Sequence, residues 1–201
     1  MKIIKARDDH IINHFIISYD ELPPSVNKYL RPSAKIVNGK AMVHMYETKE
    51  AKDFKKRFRA YLKREIKKQN WDYNKTTQGH WFLDCVFYQS RVNEDNNNYF
   101  KILCDSLKGI VIDDDKNLLV RPQKILYDSK NPRFKAVLHK AKYVGVFKDE
   151  NELNDFKNNN CIGCKRYSRN CSILKKAIEG RVQEQITFNN ENHISCLKRK
   201  T

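Results

Sequence analysis

Apolar residues recur at three- and four-residue spacing from Ala51 through Phe54, Phe58, Tyr61, Leu62 and Ile66. That period predicts an amphipathic helix running to about residue 68, with Thr48 as its N-cap. Upstream, residues 15–19 read as a first strand that stops at Pro23-Pro24. Two prolines remove ladder donors and fix an extended path, so residues 25–29 are expected to leave the sheet as a surface loop. Asn38-Gly39 is a two-residue turn signal, and its flanks, residues 35–37 and 41–45, predict a short hairpin arm suited to DNA contact. Residues 81–88 are the most apolar segment and are expected to be a covered central strand. Residues 118–120 and 125–127 read as a strand interrupted near Pro122, paired as a hairpin with residues 134–138. The expected architecture is α+β: a mixed β-sheet of about four to five strands with two main helices against it.

Between the central strand and the next lies a polar loop, a short helix and an acidic cluster. Asn97, Lys101, Asp105 and Lys108 share one helical face, while Phe100, Leu103, Cys104 and Leu107 supply the buried one. Asn98 is the expected N-cap, and Gly109 the left-handed residue that ends the helix. Ile110-Val111-Ile112 is then a brief extended step that returns Asp113, Asp114 and Asp115 towards the helix start. Three adjacent carboxylates repel one another. A divalent cation relieves that repulsion, and Mg²⁺ prefers a few carboxylate oxygens plus waters. Taken alone, an Asp-rich turn is more often a solvated cap.

Charge narrows the class of partner. The chain of 201 residues carries 40 Lys and Arg against 24 Asp and Glu, a formal net charge of +16. Such an excess points to a polyanion, most simply nucleic acid, because phosphate contacts release condensed counterions. No apolar run of membrane-spanning length and no signal peptide is visible, so a cytoplasmic protein without a membrane partner is expected. The outward faces of the long helix hold Lys52, Lys56 and Lys63 among many cations, and these, with Lys28 and Lys124, are candidate phosphate contacts. Most aromatic residues fall in apolar patterns and belong to the core. Tyr29, in the loop after the two prolines, is the exception read as a DNA contact. His44 reads as an exposed strand residue, since no second ligand lies at a useful spacing.

The C-terminal quarter has a chemistry of its own. A polar stretch over residues 147–160 reads as a hinge, followed by Cys161-x-x-Cys164, Cys171 and Cys196. A Cys-x-x-Cys knuckle plus two further thiolates can complete a tetrahedral site for Zn²⁺ or an iron–sulfur cluster, and spacing does not choose between them. His193 is a spare donor; unliganded cytosolic thiols are the bland alternative. Cys85 and Cys104 sit in apolar patterns typical of buried thiols.

The motifs together resemble a known family. Asp95-x-Asn97-Asn98-x-x-Lys101, then Asp105-Ser106-Leu107, then Gly109-Ile110-Val111-x-x-Asp114-Asp115 is similar to the pattern of the RusA-type Holliday junction resolvases. Leu22-Pro23-Pro24-Ser25-Val26-Asn27-Lys28-Tyr29 resembles the segment after that family's first strand, and the likeness spans roughly residues 12 to 143. It implies a homodimeric, Mg²⁺-dependent endonuclease acting on branched DNA in recombination and repair, in a bacterial or phage-infected cell. By resemblance Asp95, Lys101, Asp114 and Asp115 are catalytic, and Asp95, Asn97 and Asp115 hold Mg²⁺. Asn97 departs from the family, which has aspartate there. A register shifted by two residues would instead leave Asn93 for the first aspartate, and Glu94 is the carboxylate that could substitute for the missing ligand. The resulting division is a RusA-like domain over residues 1–146 and a Cys-rich metal-binding tail over 147–201. A branched-DNA-binding protein with weakened or lost cleavage, and a phage protein-interaction adaptor worked by the tail, are the alternatives.

Overall fold

The computed structural model describes residues 14–169, 171–188 and 194–200. His193, the spare donor, lies outside the described residues. Among those residues, no helix is long and apolar enough to cross a membrane.

Strand β1 (His14–Tyr19) turns Phe15 and Ile17 inward and Ile16 and Ser18 outward, the alternation of a strand covered on one face. The residues after Pro24 do not form the expected surface loop. Val26–Tyr29 close a single helical turn, α1, and Tyr29 is only 3% exposed. Its ring joins the main core while its hydroxyl finds acceptors, which a loop exposed to water could not arrange.

The hairpin is longer than its turn signal suggests. β2 (Leu30–Val37) pairs antiparallel with β3 (Lys40–Glu47) as a two-stranded sheet of their own. Asn38 and Gly39 have φ of 52° and 74°, the left-handed pair that matches the strand twist. The register puts Pro32, Ala34, Ile36, Ala41, Val43 and Met45 on one face, and on the other Arg31, Ser33, Lys35, Lys40 and His44 with Val37, Met42 and Tyr46 among them.

Helix α2 (Lys49–Lys68) has the predicted bounds, and Thr48 Oγ1 accepts from the Ala51 amide at 3.3 Å. Ala51, Phe54, Phe58 and Leu62 are buried, leaving Lys52, Lys56 and Lys63 exposed. β4 (Trp81–Gln89) alternates buried and half-buried residues and is the central strand. After it come α3 (Phe100–Leu107), β5 (Leu118–Tyr127) and β6 (Arg133–Lys140). The sheet order is β1-β6-β4-β5, with β4 parallel to β5 and antiparallel to β6. The expected β5–β6 hairpin is therefore wrong, because β4 lies between the two. α3 is the crossover that a parallel β4–β5 pair requires. Pro122 does not interrupt β5; the register shifts there by a bulge opposite Cys85 and Val86, which an edge strand tolerates.

The chain divides into two compact units, the first ending at Lys140 and the second beginning at Ala141. The break thus precedes residue 146, because Val144 and Val146 pack on the second unit's core. That core joins Phe147, Leu153, Phe156, Ile173, Leu174, Ala177, Ile186 and Ile194. Its elements are α4 (Glu150–Phe156), α5 (Ser172–Ile178), β7 (Ile186–Phe188) and β8 (Ile194–Cys196). The expected hinge over 147–160 is instead structure. Asp149 caps α4 by accepting from the Glu152 amide at 2.8 Å, and Leu153 and Phe156 are buried. Asn160, 7% exposed, donates to the carbonyls of Phe156 and Ile194 and accepts from the Cys196 amide. A residue read as hinge polarity is a fully used internal staple.

Candidate active site and cysteine cluster

The acidic loop starts where β4 ends. Gln89 is fully buried and its side-chain amide donates to the Glu94 carbonyl at 3.2 Å, pinning the loop to the sheet. Asp95, not Asn98, is the capping residue. Its Oδ1 accepts from the Asn97 amide at 2.9 Å and its Oδ2 from the Asn98 side chain at 3.3 Å, opening a tight turn over Asn96–Tyr99 that leads into α3. Asp95 and Asn97 are both exposed. Glu94 is not free to replace the missing aspartate. Its two oxygens are taken by the hydroxyls of Ser90 and Tyr99. Burial works against its charge, but those two donors outweigh it and hold the carboxyl below its usual range.

Gly109, at φ 70°, ends α3 in the expected left-handed conformation. Residues 110–112 form a tight turn rather than an extended segment: the Gly109 amide donates to Ile112 O at 2.7 Å and the Val111 amide to Leu107 O at 2.9 Å. Two distant residues fix it. Trp71 Nε1 donates to Val111 O at 2.9 Å, and Thr76 Oγ1 accepts from the Asp113 amide at 2.8 Å. Asp114 and Asp115 emerge beside the end of α3, where Lys108 Nζ stands 3.0 Å from Asp114 Oδ2 and 3.0 Å from Asp115 Oδ1. The Lys116 amide and Lys108 together hold Asp114 ionised down to about 2. The field of Asp115 reaches Lys101 as well.

Lys101 Nζ donates to Asp105 Oδ1 at 2.7 Å, and Tyr29 Oη to Asp105 Oδ2 at 2.5 Å. Tyr29, expected as a DNA contact, is corrected by its burial: the ring offers no face to a base, and the hydroxyl is committed inside. Lys28, beside it, is exposed, as is Lys124 on the edge strand. Motif spacing singles out both Tyr29 and Asp105 without joining them. Trp71 and Thr76 carry no periodic signal at all.

The structure therefore pairs Lys101 with Asp105 and sets Lys108 between Asp114 and Asp115, while Asp95 caps the turn that leads into α3 and Asn97 lies within that turn. Among the described residues, no group of three or more His, Cys, Asp or Glu stands close enough to hold a metal ion. The donors of the acidic unit are nevertheless all oxygens, and the Lys108 ammonium occupies the place of a cation between two carboxylates. That chemistry fits Mg²⁺.

In the second unit Cys161, Cys164, Cys171 and Cys196 border one pocket together with Phe156, Arg166 and Lys198. All four are free thiols. Burial first, then the neighbouring sulfurs of Cys171, Cys196 and Cys164, push the Cys161 thiol up to about 11. Cys164 shifts the other way, because the backbone amides of Lys200 and Arg166 point at its sulfur, the former at 3.4 Å. Gly163, at φ 77°, makes the knuckle turn between the first pair.

No curated protein matches the chain. Residues 22–136, more than half of it, match the family described as endodeoxyribonuclease RusA. The match takes in α1, the long basic helix, the β4–α3–β5 crossover with its acidic turn, and the first half of β6. The chain belongs to the RusA family of endodeoxyribonucleases, hydrolases that act on the phosphodiester bonds of DNA.

Proposed function

We propose that this protein resolves Holliday junctions by Mg²⁺-dependent hydrolysis, acting as a homodimer on branched DNA during recombination and repair in the cytoplasm of a bacterial or phage-infected cell. The observation that carries the reading is the crossover unit, which sets an all-oxygen acidic turn and two lysines beside one helix in a strongly basic chain. Asp95 and Asp115 would hold the metal, helped by Asp114 and by the Asn97 carbonyl. When bound, Mg²⁺ supplies Lewis acidity to the scissile phosphate and a nucleophilic water. Lys101 offsets charge developing on the phosphate oxygens. Lys28, Lys52, Lys56, Lys63 and Lys124 are exposed cations suited to backbone phosphates. A four-way junction has two strands to cut, which matches a two-fold dimer. The test is to incubate the protein with a labelled four-way junction and with linear duplex. Paired nicks in the junction that require Mg²⁺ are expected, and equal cutting of linear duplex would defeat the reading.

A second reading is junction binding with weak cleavage. It is favoured by the neutral Asn97 where the family has an acid, and a junction shifted on a gel yet left uncut in Mg²⁺ would select it.

The second unit is proposed to carry a structural metal on Cys161, Cys164, Cys171 and Cys196, Zn²⁺ first and an iron–sulfur cluster second. Support comes from the four thiols bordering one pocket and from the amides aimed at Cys164 Sγ, which favour a thiolate ready to bind. Elemental analysis of anaerobically prepared protein is expected to find one metal per chain, colourless for Zn²⁺ and brown for a cluster, and Cys164→Ser to release it. Metal-free wild-type protein would remove the proposal.

A further inference from the structure

A chain of contacts runs from α2 to α3 through two carboxylates. Lys55 Nζ donates to Glu47 Oε1 at 2.8 Å, and Tyr29 Oη lies 3.1 Å from that same oxygen. The tyrosine has one proton to give. Its shorter contact, 2.5 Å, takes that proton to Asp105 Oδ2, leaving Glu47 to Lys55. Asp105 Oδ1 is then open to Lys101 at 2.7 Å. Behind the side chain, Arg59 donates to the backbone carbonyls of Asp105 and Ser106 at 2.7 and 3.3 Å, so this part of α3 is tied to α2.

An exposed lysine in an i,i+4 pair ordinarily wanders, since such pairs contribute only a few tenths of a kcal/mol. Lys101 is about half exposed, yet its acceptor is fixed from the far side by a buried tyrosine. We infer that Tyr29 and Asp105 are positioning residues for Lys101, fixing its ammonium on the outer face of α3, and that Glu47 and Lys55 couple this hold to the base of the β2–β3 ribbon. The inference rests on the assignment of Lys101 to the cleavage reaction. It gives the Pro-Pro-Ser-x-Asn-x-Tyr and Asp-Ser-Leu motifs one joint purpose.

The charged and titratable groups facing this pair come from every neighbouring element. Lys101 meets Asp105 and Cys104 from its own helix and Asp115 from the acidic turn. Asp105 meets Lys101 and Tyr29 directly, and Lys55 and Glu47 beyond them. The bond from Asp105 raises the lysine's affinity for its proton. For Asp105, burial is outweighed by its donors Lys101 and Tyr29, which keep it ionised.

The test uses Tyr29→Phe, which keeps the packed ring, together with Asp105→Asn and Asp105→Glu, in the full chain. Trace acetylation across pH 7 to 11, read lysine by lysine by mass spectrometry, needs no activity. Lys101 labelling at pH 9 is expected to rise several-fold in Asp105→Asn and by less in Tyr29→Phe, while the other lysines are unchanged and Asp105→Glu restores part of the protection. Single-turnover junction cleavage by Tyr29→Phe should fall about tenfold at saturating DNA, with junction affinity unaltered. In Asp105→Asn the alkaline limb of the pH–rate profile should move to lower pH. Labelling of Lys101 identical to wild type in all three variants would overturn the inference. A wild-type protein that cuts no junction would instead defeat the proposed activity, and the labelling comparison would still decide the positioning.

Discussion

Asp115→Asn is expected to slow junction cleavage by about a thousandfold, ~4 kcal/mol of lost transition-state stabilisation, while leaving junction binding intact or slightly tighter. Asparagine has nearly the same shape, so the tight turn held by Trp71 and Thr76 should persist, and Lys108 keeps Asp114 at 3.0 Å. The substitution removes one negative charge and one hard oxygen ligand. Removing the charge also removes repulsion from nearby phosphates, which is why binding and cleavage should move apart. Asn97→Asp is expected to act in the opposite direction. The Asn97 side chain is exposed and only its backbone amide serves the Asp95 cap, so a carboxylate there adds a charged donor without disturbing the turn. The Mg²⁺ concentration for half-maximal rate should fall in this variant. The check is a Mg²⁺ titration of cleavage for wild type and both variants, alongside junction affinity in Ca²⁺. Normal cutting by Asp115→Asn would discard the catalytic assignment, and coincident titrations would remove residue 97 from the ligand set.

Gly145→Ala is expected to destabilise the second unit by about 3 kcal/mol or more, adding the strain of a left-handed alanine to that of overpacking. Gly145 has φ 60°, and a Cβ built there would collide with Ala177 O and stand 2.6 Å from Ile178 O. The obstacle is backbone and cannot turn aside. Ala177 O already accepts the amides of Val146 and Gly180, each at 3.0 Å, so moving it away would loosen the end of α5 and the Val144–Phe147 turn together. Limited proteolysis should cut the variant after Ala141 at a temperature where wild type resists, with the first unit surviving as a fragment. Equal resistance of the two proteins, with the same melting temperature, would show that the turn can relax around a methyl group. Because the four cysteines belong to the same unit, metal content measured on this variant also reads how strongly a bound ion supports the fold.

The local pattern of the chain determined those elements whose cause lies within a few residues. Thr48 and the Phe54–Phe58–Leu62 spacing were sufficient for α2, since side-chain direction in a helix repeats every three to four positions. Asn38-Gly39 was sufficient for the ribbon because few other residues accept both left-handed conformations. The acidic turn and its lysines were legible as a motif with chemistry, and so was the family to which residues 22–136 belong. Tertiary structure alone decided the placement of β4 between β5 and β6, because the periodicity of a strand says which face is buried and not which neighbour it takes. It decided that Tyr29 is buried against Asp105, that Trp71 and Thr76 hold the acidic turn, and that Asn160 staples a helix instead of loosening a hinge. Each of these contacts joins residues more than thirty positions apart. Their polar atoms are satisfied only once the cores have closed around them, and a buried donor takes whichever acceptor the packed chain brings within reach.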